Sequence, residues 1–202
     1  MRAVSSTIAA ALPDAATVFA DRGLDGTRME DIVRATGIPR PTLYYHFASK
    51  NEILAWLLDR LLTDLSSDIS RVLNREEPAA RRLDAVIGTY LRLFAEHRDL
   101  CTVLLSELGR ITRIPELADA IRAAFHEPVR ELLDAGARDG SLRPVDEELA
   151  ASAIFGAVTM VGLHKVVTDQ PVDVPGTTAA LGELLSVGIA PAVHRTSTKG
   201  SR

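Results

Sequence analysis

Apolar residues return every three to four positions along most of the chain, and period-two alternation is nowhere sustained, so the pattern predicts helices throughout and an all-α fold. The clearest stretch begins at Ser49 and ends near Leu73: Ile53 and Leu54, Leu57 and Leu58, Leu61 and Leu62, then Leu65 and Ile69 repeat every fourth residue. At about 1.5 Å per residue this helix is ~37 Å long, enough to link two ends of the molecule. Further helices are predicted over 78–96, 99–111, 115–137, 146–168 and 177–193. Loops marked by glycine, proline and charge separate several of them, at 74–78, 140–144 and 169–176. The helix over 146–168 is apolar nearly all round from Leu149 to Leu163 and rich in Ala and Gly. A helix without a polar face needs cover on both sides. A second copy of the chain supplies that cover if this helix and the next, with Leu181, Leu184, Leu185, Gly188 and Ile189, form a four-helix interface about a two-fold axis. A central core helix in a monomer accounts for the same composition.

The shorter elements before Ser49 carry the chemistry. Thr27 and Glu30 have the spacing of a capping box, so a helix starts near Arg28. Met29, Ile32 and Val33 form its inner face, leaving Arg28, Asp31 and Arg34 for solvent or phosphate. Gly37 ends it, because glycine adopts the left-handed reversal with least strain. Pro39 and Pro41 flank Arg40, and proline is tolerated in a helix only in its first turn, so a second short helix covers about 41–46. Leu43 and Phe47 point inward; Thr42, Tyr45 and His46 lie outside, with Arg40 at the leading edge. Ser49 and Glu52 repeat the capping box, and Lys50 in that first turn makes a seat for a phosphate oxygen. Two short helices about a glycine turn, followed by a third, form the arrangement that presents one helix to the major groove of DNA.

Composition narrows this further. The 202 residues carry a net charge of −4, which argues against a protein that coats nucleic acid indiscriminately. The stretch from Ile32 to Asn51 nevertheless holds Arg34, Arg40 and Lys50 and no Asp or Glu, a local positive face suited to selective binding. A single cysteine, Cys101, excludes an intramolecular disulfide framework and a thiolate zinc cluster and suits a reducing cytoplasm. The apolar run Leu149 to Leu163 is shorter than a bilayer crossing needs, so no membrane partner is expected.

The run from Thr27 through Gly37 and TLYYHF to Ser49 and Lys50 resembles the DNA-binding domain of the tetracycline-repressor (TetR) family of transcription regulators. The upstream AATVFADRGLDGT is similar to that family's first helix and its glycine end, so the resemblance covers residues 11–60. It departs at Pro13, which implies that the first helix starts or kinks there and leaves residues 1–12 as a loose arm. The resemblance implies a helix-turn-helix domain over 1–48, a helical effector-binding and dimerisation domain over 49–195, and a disordered tail over 196–202. It also implies a homodimer reading double-stranded DNA at a palindromic operator, a repressor more readily than an activator, released by a small-molecule effector, which the apolar composition predicts to be mainly hydrophobic. On this reading Arg40, Thr42, Tyr45 and His46 face base edges, Thr27, Tyr44 and Lys50 face phosphate, and Arg28 and Pro41 complete the DNA-binding set. The implied effector cavity has Tyr90, Phe94, Leu104, Leu108, Phe125, Met160 and His164 as candidate walls, although core packing explains each of them as well. No cofactor, metal site or catalytic residue is expected. His97, His126, His164 and Glu107 are the groups an enzyme would have to gather, and no metal-ligand spacing or nucleophile elbow accompanies them.

Overall fold

The computed structural model describes residues 4–111 and 113–189, with side chains at 111 and 186–189 left aside. The expectations for the tail over 196–202, for the helix end over 190–193, and for the side chains of Gly188 and Ile189 lie outside the described residues. Among those described, the elements are helical: α1 (Ser6–Ala11), α2 (Ala15–Gly26), α3 (Met29–Thr36), α4 (Arg40–His46), α5 (Lys50–Leu73), α6 (Ala79–Glu96), α7 (Arg98–Ser106), α8 (Leu108–Ile111), α9 (Pro115–Ile121), α10 (Glu127–Asp139), α11 (Glu147–Val167) and α12 (Val174–Ile189).

At the amino-terminal end the kink at Pro13 is present: a 3-10 turn, Leu12–Asp14, joins α1 to α2. The described part of the expected loose arm, residues 4–12, is ordered differently. From Ser6 the chain is helical, and Leu12 is fully buried, so hydrophobic burial ties down a segment whose low charge had marked it as free. Inside α2 the backbone breaks at Gly23, with φ 66°, and the hydroxyl of Thr27 donates to Gly23 O at 2.7 Å.

The connecting helix follows its sequence pattern closely. Ile53, Leu54, Leu57, Leu58, Leu61, Leu62, Leu65, Ile69 and Val72 are all buried along α5, facing the inward row of α6 (Leu83, Val86, Ile87, Tyr90) and the head. Fully burying each such side chain is worth roughly 1.5–3 kcal/mol, which makes α5 the stiff spine shared by both halves.

Two predicted helices depart from a regular α-helix. The stretch over 99–111 divides at Glu107, whose φ/ψ of −100°/6° ends α7 before α8 begins. The stretch over 115–137 is continuous but widens into a π-helical turn, Arg122–His126, just ahead of Pro128. Proline has no N–H to give the carbonyl four residues back. Tyr90 compensates: its buried hydroxyl lies 3.1 Å from both Ala124 O and Phe125 O and donates between them. The Tyr90 ring meets Phe125 at 5.1 Å, and Phe125 meets Phe155 at 5.2 Å, an aromatic ladder from α6 to α11.

Helix α11 has Asp146 as its cap, its side chain accepting from Leu149 N at 3.0 Å. Ala151, Ile154, Val158, Gly162 and Val166 form its buried stripe, and a methyl group at Gly162 would collide with the ring of Phe94, so glycine is what lets α6 and α11 approach. The opposite side is bare: Leu149 is 68% exposed, Met160 60%, Val167 74%, and Leu184 on the neighbouring α12 is 73%. Helix α11 has 21 residues, more than its uncharged run from Leu149 to Leu163, and its most apolar 18-residue window has mean hydropathy 1.5, so by length and composition alone it is long and apolar enough to cross a membrane.

Candidate nucleic-acid interface

The head is built from α2, α3 and α4 against the start of α5. Helix α3 does begin after Arg28, but the reciprocal cap is Asp31, whose Oδ2 accepts from Arg28 N at 3.1 Å, and not Glu30. Asp31 is therefore buried rather than solvent-facing, paired with Arg22 at 2.9 Å. Thr27 is likewise displaced from its expected role. It is 1% exposed and its hydroxyl is spent on Gly23 O, so its side chain offers nothing to a phosphate. The physical reason is one residue of register: the reversal at Gly23 carries Thr27 inward and shifts the cap to Arg28.

Gly37 ends α3 with φ 66°, its N–H donating to Val33 O at 2.9 Å, as the sequence predicts. Pro39 then caps α4, with Thr42 N and Leu43 N donating to its carbonyl at 2.9 and 3.1 Å. Leu43 and Phe47 are fully buried, and the Phe47 ring meets Trp56 of α5 edge-on at 6.3 Å. Pinning those two side chains forces the rest of the helix outward. Arg40, Pro41, Tyr44 and Tyr45 are exposed, Tyr45 by 60%, while Thr42 and His46 are half-buried, with Nδ1 of His46 closed off from solvent. Arg28 is also exposed, at the foot of α3.

Two cations on this face already have partners. The Arg40 guanidinium lies 5.4 Å over the Tyr44 ring, and its Nη1 is 2.5 Å from Glu30 Oε1. Lys50 donates from Nζ to Asp25 O at 3.0 Å and Thr27 O at 2.8 Å, so it clamps the α2–α3 junction onto the start of α5. Ser49 caps α5 as predicted, its hydroxyl accepting from Glu52 N at 3.4 Å, while Glu52 Oε2 accepts from Ala48 N, one residue ahead of the cap, at 2.9 Å.

Sequence reasoning missed how the head is fastened to the body. Arg110 of α8 grips Asp25 at the end of α2 with two hydrogen bonds, 3.0 and 3.1 Å, and Thr17 of α2 donates to Asp99 of α7 at 2.5 Å. These partners are 85 and 82 residues apart, beyond any local signal. Hydrogen bonding from Arg110, then its charge, holds the Asp25 carboxyl below the usual carboxylate range.

In the body, Phe94, Leu104, Leu108 and Phe125 do converge, with Leu93, Cys101, Leu105, Ile121, Phe155 and Thr159, around an apolar cavity of about 20 Å³. That holds a single water at most. Burial there pushes the Cys101 thiol up to about 12. Tyr90 is buried beside the cavity rather than lining it. Met160 and His164 are corrections: both are exposed on the outer side of α11. That helix is apolar on every side, so periodicity held no signal about which face turns inward. A wider cleft of about 670 Å³ between α6 and α12, lined by Arg75, Asp84, Thr89, Arg92 and Thr178 among others, had no sequence signature. Burial raises the Asp84 carboxyl there. His97, His126, His164 and Glu107 do not gather; among the described residues no cluster of three or more His, Cys, Asp or Glu is disposed to hold a metal.

Comparison with known proteins gives a concordant result. The model described as bacterial regulatory proteins, tetR family, matches residues 12–57, and a tetracyclin repressor-like C-terminal domain model matches 76–163. The HTH-type transcriptional repressor KstR2 of Rhodococcus jostii is 31% identical over 140 residues, covering 67% of this chain and 68% of that protein. The HTH-type transcriptional activator FasR of Mycolicibacterium smegmatis is 26% identical over 159 residues, 79% of this chain and 72% of that protein. The solved structure of the regulator FadR from Bacillus subtilis in complex with stearoyl-CoA superimposes with a TM-score of 0.74 at 22% identity, covering 88% of this chain and 97% of that one.

Proposed function

The chain belongs to the tetR family of bacterial regulatory proteins and is a DNA-binding, effector-responsive transcription regulator, and from that premise we propose that it is a cytoplasmic, non-catalytic homodimeric repressor released from a palindromic operator by an acyl-chain effector. The reading head spans 1–48 and the effector and dimerisation body 49–195. The observation that carries the reading is the outer side of α4, where Arg40, Pro41, Tyr44 and Tyr45 stand exposed on a helix pinned from beneath by Leu43 and Phe47. Arg40, Thr42, Tyr45 and the outer edge of His46 read bases; Arg28, Tyr44 and Lys50 serve the backbone. Lys50 and Arg40 do so by exchanging their present partners for DNA oxygens.

The bare stripes of α11 and α12 support dimerisation through these two helices, since the buried side of α11 is already taken by α6 and α10. A two-fold axis there would set two α4 helices about one DNA turn, ~34 Å, apart. For the effector, the bound stearoyl-CoA of the B. subtilis relative and the mainly apolar cavity walls, with Thr159 among them, point the same way. Ligand sites run to about 300–1,000 Å³, so an acyl chain entering a cavity of about 20 Å³ must push its walls apart. Those walls include α7 and α8, which hold Asp25 and Thr17 of the head. The effector then releases DNA by favouring the state in which the head is displaced.

The test is binding of purified dimer to duplex DNA from the region upstream of its own gene, followed by footprinting. A symmetric protected site is expected. Arg40→Ala should weaken binding to it by about 1–3 kcal/mol and relax one base position in each half-site. Unchanged preference would remove Arg40 from the reading set. For coupling, Arg110→Ala should lower operator affinity only two- to fivefold, as roughly expected of an exposed ion pair, yet blunt most of the release caused by stearoyl-CoA in a titration. The Asp25 carboxyl is depressed in the folded state, so its contribution to this link is complete at neutral pH and is lost only as pH falls through that lowered value.

A further inference from the structure

The Glu30–Arg40 pair is not explained by capping, since Asp31 takes that role, and it sits on the face offered to DNA. It joins the first turn of α3 to the first residue of α4 across the Gly37 reversal. We propose that Glu30 is a selectivity residue, which restrains Arg40 from pairing with backbone phosphate and so reserves it for a guanine edge. The inference rests on α4 being the reading helix.

The argument is one of competing acceptors. Arg40 and Glu30 side chains are 56% and 53% exposed, so their pair is weak and exchanges readily. The guanidinium is nevertheless oriented, because its carbon sits over the Tyr44 ring while Glu30 accepts from Nη1. Two DNA groups can replace the carboxylate. A phosphate oxygen brings negative charge within a few ångströms of Glu30, and like charges at that range repel. The O6 and N7 atoms of guanine accept from two guanidinium N–H groups and carry no net charge. Glu30 therefore penalises the sequence-independent contact and leaves the base contact unpenalised. It acts through Arg40, as a positioning residue, and discrimination against wrong sites is its output.

The experiment compares the full-length protein with Glu30→Gln, which keeps the shape and removes the charge. Binding to an unrelated duplex should tighten roughly three- to tenfold at low salt, and the log–log salt slope should steepen by about one. Selection from a randomised duplex pool should show loss of contrast at one base pair per half-site. In the Arg40→Ala background Glu30→Gln should change neither readout. Should Glu30→Gln melt early, Glu30→Asp retains the charge but not the reach, and should also loosen the motif while leaving the slope unchanged. An unaltered slope and motif in a folded Glu30→Gln protein would overturn the proposal. A wild-type protein that selects no motif at all would sink the reading of α4 itself, which is a separate result.

Discussion

Phe47→Ala is expected to abolish operator binding and to destabilise the protein by about 3–5 kcal/mol, the usual cost of emptying an aromatic site. Phe47 is fully buried and packs edge-on against Trp56, so it is the joint between α4 and the spine α5. Leu43, also fully buried, holds α4 at its middle and cannot fix the helix axis alone. Without the ring α4 loses the anchor that turns Arg40 and Tyr45 outward. Binding should thus fall by more than the stability loss alone implies, because a loosened helix presents its contacts in many orientations. A thermal melt followed by circular dichroism gives the stability change, and anisotropy with labelled operator gives the binding. Phe47→Leu, which retains much of the volume, should cost less and keep measurable affinity. A Phe47→Ala protein that melts and binds as wild type would show that α4 is held by something else.

The second large effect is expected at Met160→Glu. In the single chain Met160 is 60% exposed, so the substitution leaves the monomer's own packing alone. In the proposed dimer it places a carboxylate from each subunit near the two-fold axis in an apolar seam. An uncompensated buried charge costs about 3–5 kcal/mol, which raises the dimer dissociation constant by two orders of magnitude or more. Sedimentation should therefore show monomer at concentrations where the wild type is dimeric. Operator affinity should drop in step, since two heads on one body bind with an avidity that separated heads lack. Met160→Leu should be neutral in both assays. A Met160→Glu protein that remains a dimer would move the interface off this face of α11.

How much of this was legible in the sequence depends on the range of the interaction. Capping residues, the Gly37 reversal, prolines at helix starts and the four-residue repeat of α5 act within one or two turns, and each appears in the structure within a residue or two of its expected place. The inward pair Leu43 and Phe47 was readable for the same reason, because fixing two positions on a short helix fixes its outer side. The one-residue shift that buried Thr27 shows the limit even there: Thr27 and Arg28 are both able to precede α3, and the break at Gly23 decided between them. The π turn before Pro128 is an intermediate case, since proline signals a lost hydrogen bond but not the Tyr90 hydroxyl that replaces it.

By itself the sequence determined an all-helical chain, the helix-turn-helix segment, the exposed side of α4 and the family resemblance, all consequences of local periodicity and local chemistry. Tertiary structure decided what those patterns leave degenerate. An evenly apolar helix such as α11 has no preferred face until Phe94 docks on Gly162, which turned Met160 and His164 outward. The partners of the charged groups, Glu30 for Arg40, Asp25 for Arg110 and two carbonyls for Lys50, were likewise set by folding. These particular contacts join residues ten to eighty-five positions apart, and their geometry exists only once the hydrophobic core has brought the helices together.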